Sequence, residues 1–128
     1  MKKLLPLSIF LIASIVFTAC KSKHEEGVTS DYHAQWLNVS ADTTTTTEAA
    51  RSVLADEKLK DVRASSTSVD GKVSAKKADG TPINVTIKKK TDTTSEVSVV
   101  VGTTGQPALG AELARKIKDR VEGTSKTK

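Results

Sequence analysis

The 128-residue sequence has little cysteine, histidine or aromatic content, and each shortage excludes a class of protein. One cysteine excludes a framework of intrachain disulfides, and two histidines exclude most histidine-rich metal sites. The aromatic residues are one Trp, one Tyr and two Phe, and both phenylalanines, Phe10 and Phe17, lie in an N-terminal apolar run. The length allows one small domain, which is expected to have an aliphatic core.

The first 20 residues have the pattern of a bacterial secretory signal. Lys2 and Lys3 supply positive charge, and an apolar stretch then covers residues 4–17. This stretch is too short to cross a bilayer comfortably as a helix. It leads to Cys20, and small residues directly before a cysteine resemble the lipobox of bacterial lipoproteins. The resemblance implies cleavage before Cys20 and lipid attachment to it, although Phe17 stands where an aliphatic residue is usual.

Two other interpretations of the N-terminus stay open, namely an ordinary signal cut near Ala19 and an uncleaved anchor. The lipoprotein is favoured because the only cysteine lies where the lipid is attached in that family. Several acyl chains make such anchoring stable. Lys21, rather than Asp, follows the cysteine, and by resemblance to the sorting rule of enteric lipoproteins this implies the outer membrane, facing the periplasm. Nucleic acid is not an expected partner there.

The composition divides the chain into four segments. They are a signal peptide (residues 1–19), the lipidated cysteine with a flexible tether (20–42), a folded domain (43–122) and a frayed tail (123–128). The tether is polar and has no sustained period. Tyr32, Trp36 and Leu37 are its only large apolar residues.

Two helices are predicted, one at each end of the domain. The five threonines at 43–47 are β-branched and disfavour the middle of a helix, so they are expected to lead into one. Thr45 and Glu48 fit a capping box, which predicts a first helix over about residues 46–60. The second helix is predicted from Pro107 to Gly123 because apolar residues recur there every four positions.

Between the helices the sequence alternates with period two, which predicts four strands. Asp70-Gly71 is assigned to the first hairpin turn. For the second hairpin, a three-residue loop at 78–80 with a left-handed glycine sets Val73 opposite Val85, so that the apolar sides coincide.

The same parity argument makes residues 91–93 the loop of the third hairpin and sets Lys88 opposite Glu96, a favourable cross-strand pair. The predicted fold class is α+β with two layers: a four-stranded antiparallel meander with one helix before it and one after it (α-β-β-β-β-α). Both helices cover the aliphatic face of the sheet, and the polar face stays open.

The open face provides the candidate contact residues. Lys72, Lys76 and Lys88 share it, and Lys89 and Lys90 lie at the hairpin tip. One interpretation is a docking face for lipopolysaccharide phosphates, anionic lipid headgroups or an acidic protein. The other is edge protection and solubility, which are common uses of strand lysines.

Other candidate sites are weaker. His24 and His33 lie among carboxylates in the tether, which indicates either a weak zinc or copper site or a solvated linker. Both histidines precede the domain and no G-x-S-x-G motif is present, so no catalytic residues are assigned. Tyr32 and Trp36 are both placed in the tether, which argues against recognition of a glycan by stacking.

Several segments resemble a family of small, uncharacterised bacterial lipoproteins, a domain of unknown function with a Gly-Thr-Thr-Gly turn before a basic C-terminal helix. The likeness covers about residues 40–122 and rests on segments 79–87, 94–99, Gly102-Thr103-Thr104-Gly105 and Ala108-Leu109. It supports the lipoprotein and the fold, and it implies no catalytic residue and no cofactor.

The expected function is therefore that of a non-enzymatic envelope lipoprotein. Its anchored domain is expected to bind a protein partner or an anionic surface of the envelope. The alternative is a small-molecule or metal carrier in the periplasm, with the ligand between sheet and helices or at His24 and His33.

Overall fold

The computed structural model of the chain describes residues 29–30 and 34–125. These residues form one antiparallel sheet with two helices packed on one of its faces. In chain order the elements are β1 (Thr29–Ser30), β2 (Gln35–Val39), α1 (Thr43–Asp56), β3 (Lys60–Ser66), β4 (Asp70–Lys76), β5 (Pro82–Lys89), β6 (Ser95–Val101) and α2 (Pro107–Ser125). The strand order is β1-β2-β6-β5-β4-β3.

The predicted four-stranded meander is wrong, because part of the expected tether is in the sheet. β2 pairs with β6 along its whole length, from Gln35 opposite Val99 to Val39 opposite Ser95. Leu37 and Val39 are buried against the helices, which gives this short strand a strong reason to pair. With the two-residue β1 beside it, the described sheet has five longer strands and one very short one.

β2 and β3 lie near opposite edges of the sheet, and α1 crosses the sheet between them. The first helix is therefore a crossover connection and does not simply precede the strands. It packs on β3, β4 and β5, whereas α2 packs on β2 and β6. The predicted two-layer arrangement, with both helices on the aliphatic face, is confirmed.

The predicted register of β4, β5 and β6 is confirmed. Val73 lies opposite Val85, and Lys88 lies opposite Glu96. Gly80 has a φ of 88°, which provides the left-handed residue of the three-residue loop. The Lys77 N–H donates to the Thr81 carbonyl at 2.9 Å and closes this loop.

The first hairpin turn lies before the predicted Asp70-Gly71. Both residues belong to β4, and the chain turns at Thr67, whose N–H donates to the Asp70 carbonyl at 2.7 Å. The Thr67 hydroxyl donates to Asp70 Oδ1 at 2.7 Å. Gly71 faces α1, so its small size serves helix packing and not the turn.

α1 begins earlier than predicted and includes all five threonines. Asp42 is the N-cap, and its Oδ1 accepts from Thr45 N at 2.7 Å. The Thr46 and Thr47 hydroxyls donate to carbonyl oxygens four residues earlier, each at 2.7 Å. Thr43, Thr46 and Thr47 are buried, so packing against the sheet offsets their low helix propensity.

α2 begins at Pro107 as predicted, but it continues through Gly123 to Ser125. Of the apolar residues predicted to recur every four positions, Leu113, Ile117 and Val121 are buried, with Ala114 beside them, and Leu109 is partly buried. The buried apolar cluster of the described residues consists of Ala, Val, Leu and Ile side chains, as the sequence predicts.

Candidate functional site on the open face of the sheet

The face of the sheet opposite the helices carries the lysines of β4 and β5. Lys72, Lys76 and Lys88 are all exposed, and in each strand they alternate with buried valine, isoleucine or alanine residues. The pleat of the sheet therefore directs all three ammonium groups away from the core. The structure brings them together on one face, as predicted.

Two further cations on this face come from β3, where the alternation of apolar and polar residues in the sequence is weak. Arg63 lies opposite Ser74, and Lys60 lies opposite Lys76. Both are exposed. The register shift between them, with Asp61 at a φ of 53°, is a bulge that obscures the alternation in the sequence.

Among the described residues, Lys89 and Lys90 each form an ion pair, unlike the other three lysines. Lys89 Nζ lies 2.8 Å from Asp92 Oδ1, and this pair lowers the pKa of Asp92. Lys90 Nζ lies 3.0 Å from Glu96 Oε2. The hairpin tip is therefore less cationic than the sequence alone indicates.

Trp36 lies on the same face, although the sequence places it in the tether. It sits in β2 opposite Ser98 of β6. Together with Thr86, Lys88, Glu96 and Ser98, the half-buried indole lines a shallow depression of about 190 Å³. The alternation of Leu37 and Val39 with polar neighbours is the one sequence signal that predicts this strand.

Two larger depressions of about 350 Å³ each continue across the face. One contains Lys72 and shares Thr86 and Lys88 with the Trp36 depression. The other contains Arg63 and Lys76. Indole, hydroxyl and cationic groups thus follow one another from β2 to β3.

The helical layer has a separate cavity of about 530 Å³ between the C-terminal ends of α1 and α2. Lys116 Nζ lies 2.5 Å from Glu57 Oε1 and 2.9 Å from Glu112 Oε1, and Arg120 pairs with Asp56. Hydrogen bonds to Glu57 and then Glu112 raise the pKa of Lys116. The Lys116–Glu57 and Arg120–Asp56 pairs link α2 to the end of α1, and aliphatic side chains fill the layer between helices and sheet.

Cys20, His24, His33 and Tyr32 lie outside the described residues. Within residues 29–30 and 34–125, no three His, Cys, Asp or Glu side chains are grouped to hold a metal ion. Over the same part of the chain, no helix is long and apolar enough to cross a membrane.

The fold and the open face define a small α+β domain with a cationic sheet surface. The chain belongs to the family described as "Protein of unknown function (DUF3568)", which matches residues 3–120. The match therefore includes the apolar N-terminal run, Cys20 and nearly all of the described domain. This confirms membership of a family with a domain of unknown function. No curated protein matches the sequence.

Proposed function

We propose that this protein is a non-enzymatic lipoprotein of the cell envelope whose open sheet face binds an anionic surface of the envelope. The observation that carries the proposal is the placement of Lys72, Lys76, Lys88 and Arg63. All four are exposed on the sheet face opposite α1 and α2, and they come from three adjacent strands.

Cations on this face outnumber the Asp61, Asp70 and Glu96 carboxylates that line its depressions. Such an excess of positive charge attracts an anionic surface over about one Debye length, roughly 8 Å at physiological salt. The long lysine and arginine side chains also adapt to an irregular array of phosphates or carboxylates. The strand positions fix the spacing of the cations, so the face is a preorganised docking surface. Binding of this kind weakens as the salt concentration rises.

The proposed anchor is a lipid on Cys20, which follows an apolar run and two small residues, Thr18 and Ala19. The chain from Cys20 to Thr29 reaches at most about 32 Å when fully extended. A lipid at Cys20 therefore keeps the domain close to the bilayer. The proposed location is the outer membrane, with the domain facing the periplasm.

Metabolic labelling with an alkyne-bearing palmitate tests the anchor. The wild-type chain is expected to take up the label and to sediment with the outer membrane. Cys20→Ser is expected to lose the label and the membrane association. A variant that keeps the label would contradict lipid attachment at Cys20.

Sedimentation with purified cell-wall sacculi tests the docking face, with the full chain kept in a mild detergent. The triple variant Arg63→Gln, Lys72→Gln, Lys76→Gln is expected to bind at least about tenfold more weakly at low salt. The matched control is Arg51→Gln, Lys58→Gln, Lys118→Gln, which removes the same charge from α1, from the loop after α1 and from α2.

Anionic-lipid bicelles in place of sacculi provide the second arm of this experiment. If the open-face triple variant and the control triple variant bound equally well to sacculi and equally well to bicelles, the proposed docking face would be wrong. Binding that does not change with salt would contradict its electrostatic origin.

A further inference from the structure

We infer that the depression around Trp36 is a binding subsite for an acidic saccharide. The inference rests on the proposed function and names the ligand of the same face. Two features carry it: the chemistry of the depression and its continuity with the lysines. Trp36 belongs to this face because β2 joins the sheet, so for this residue the objection that it lies in a tether no longer holds.

The groups around Trp36 match the two-sided chemistry of a sugar ring. A pyranose has an apolar C–H face and a rim of hydroxyl groups. The half-buried indole offers a flat apolar surface. Thr86 and Ser98 hydroxyls line the same depression and both donate and accept hydrogen bonds.

The two charged groups of the depression have different roles in this assignment. The Glu96 carboxylate accepts hydrogen bonds from sugar hydroxyls, and its ion pair with Lys90 at 3.0 Å holds it in position. Lys88 lies opposite Glu96 in the register and provides a cation for a carboxylate on the sugar. The carboxylate beside the indole suits the hydroxyl groups of a ligand, so the acid group of the sugar is expected on the Lys88 side of the depression.

The depression also has the continuity that a chain-like ligand requires. Thr86 and Lys88 line both the Trp36 depression and the next one, which contains Lys72. A saccharide of more than one ring can therefore extend from the indole on β2 toward Lys72 on β4. Along this path the ligand meets Lys88 and Lys72, and the carboxylates of Glu96 and Asp70 lie opposite Lys88 on either side.

The experiment uses the emission of Trp36, which is the only tryptophan in the chain and reports directly on the depression. The full chain in mild detergent is titrated with the disaccharide of N-acetylglucosamine and N-acetylmuramic acid, which carries one carboxylate. Di-N-acetylchitobiose is the neutral control. We expect a saturable change in emission, with about tenfold weaker binding of the neutral disaccharide.

Variants then separate the roles of the side chains. Lys88→Gln is expected to remove the preference for the acidic disaccharide, and Glu96→Gln to weaken both ligands. Trp36→Leu, followed by calorimetry, is expected to weaken both by about fivefold or more. Lys118→Gln on α2 is the control and is expected to change neither. Thermal unfolding by circular dichroism verifies that each variant is folded.

The inference would be overturned if Trp36 emission responded to neither disaccharide, or only to phosphatidylglycerol bicelles. It would also be overturned if the two disaccharides bound with equal affinity and Lys88→Gln left both affinities unchanged. A response only to the bicelles would identify a membrane-binding face. Of the residues changed in this test, only Lys88 is also among the cations proposed for docking. The triple variant used in sedimentation leaves Lys88 unchanged. Weak sacculus binding by that triple variant, with normal binding by the Trp36 and Glu96 variants, would retain the proposed function and reject the saccharide subsite.

Discussion

Gly71 of β4 lies directly against Thr47 of α1. A Cβ atom built on Gly71 would lie 2.0 Å from Thr47 Oγ1 and 3.3 Å from Thr47 Cβ. The Thr47 hydroxyl cannot move away freely, because it donates to the Thr43 carbonyl at 2.7 Å in a buried position. This contact sets how closely the first helix approaches the sheet.

Gly71→Ala is therefore expected to lower the free energy of unfolding by about 1–3 kcal/mol through overpacking. Urea denaturation of the full chain measures it. Thr47→Ala removes the hydroxyl, so the double variant is expected to lose less than the sum of the two single variants. Strict additivity would show that the two residues are not in contact.

Gly123→Ala is the matched control for that substitution. Gly123 lies within α2, and a Cβ there would meet no atom within 4 Å. Alanine at this position is expected to stabilise the protein by about 0.5–1 kcal/mol, because glycine is a poor helix former. A loss of stability comparable to that of Gly71→Ala would contradict the packing argument.

Leu37→Ala tests whether residues 35–39 belong to the sheet. Leu37 is 4% exposed in β2, so its truncation is expected to cost about 2–5 kcal/mol. The neighbouring Asn38 is exposed, and Asn38→Ala is expected to change stability by less than about 0.5 kcal/mol. If both variants were as stable as the wild type, residues 35–39 would not be part of the sheet and would belong to the tether.

Asp42 provides a pH-dependent contribution to the stability of α1. A hydrogen bond from the Thr45 backbone N–H lowers the pKa of Asp42 below its ordinary 3.8. Its contribution is therefore complete above about pH 4 and is lost as the pH falls through the lowered pKa. Asp42→Ala is expected to cost about 0.5–2 kcal/mol at pH 7.

The difference in unfolding free energy between wild type and Asp42→Ala is expected to become smaller at pH 2–3. Thermal unfolding measured across the pH range tests this. Asp42→Asn is the control, because asparagine caps a helix about as well and does not titrate. If the wild type remained more stable than Asp42→Ala by the same amount at low pH, the proposed role of the carboxylate would be wrong.

Gly80 is expected to tolerate asparagine better than alanine. Its φ of 88° lies in the left-handed region, and a Cβ there would meet no atom within 4 Å, so any cost arises in the backbone alone. Gly80→Ala is expected to lower stability by about 1–2 kcal/mol, and Gly80→Asn by less. Equal stability of glycine and alanine proteins in urea denaturation would show that the loop adopts another conformation.

Local sequence periodicity was sufficient to predict the three central strands of the sheet and the second helix. Side chains alternate strictly along a strand, so a three-residue loop places Val73, Val85 and Val99 on the same side and a two-residue turn does not. The three open-face lysines follow from the same parity. The four-residue spacing from Leu113 to Val121 likewise predicted the buried stripe of α2.

The sequence by itself thus determined the register of three strands, the face that carries Lys72, Lys76 and Lys88, and the course of α2, because these depend on short-range periodicity. Only the tertiary structure decided that β2 pairs with β6, that the threonines begin α1, and that Trp36 lies beside Lys88. These features depend on pairing and burial between segments far apart in the chain, and the stability gained there outweighs local preference. The candidate saccharide subsite belongs to this second group.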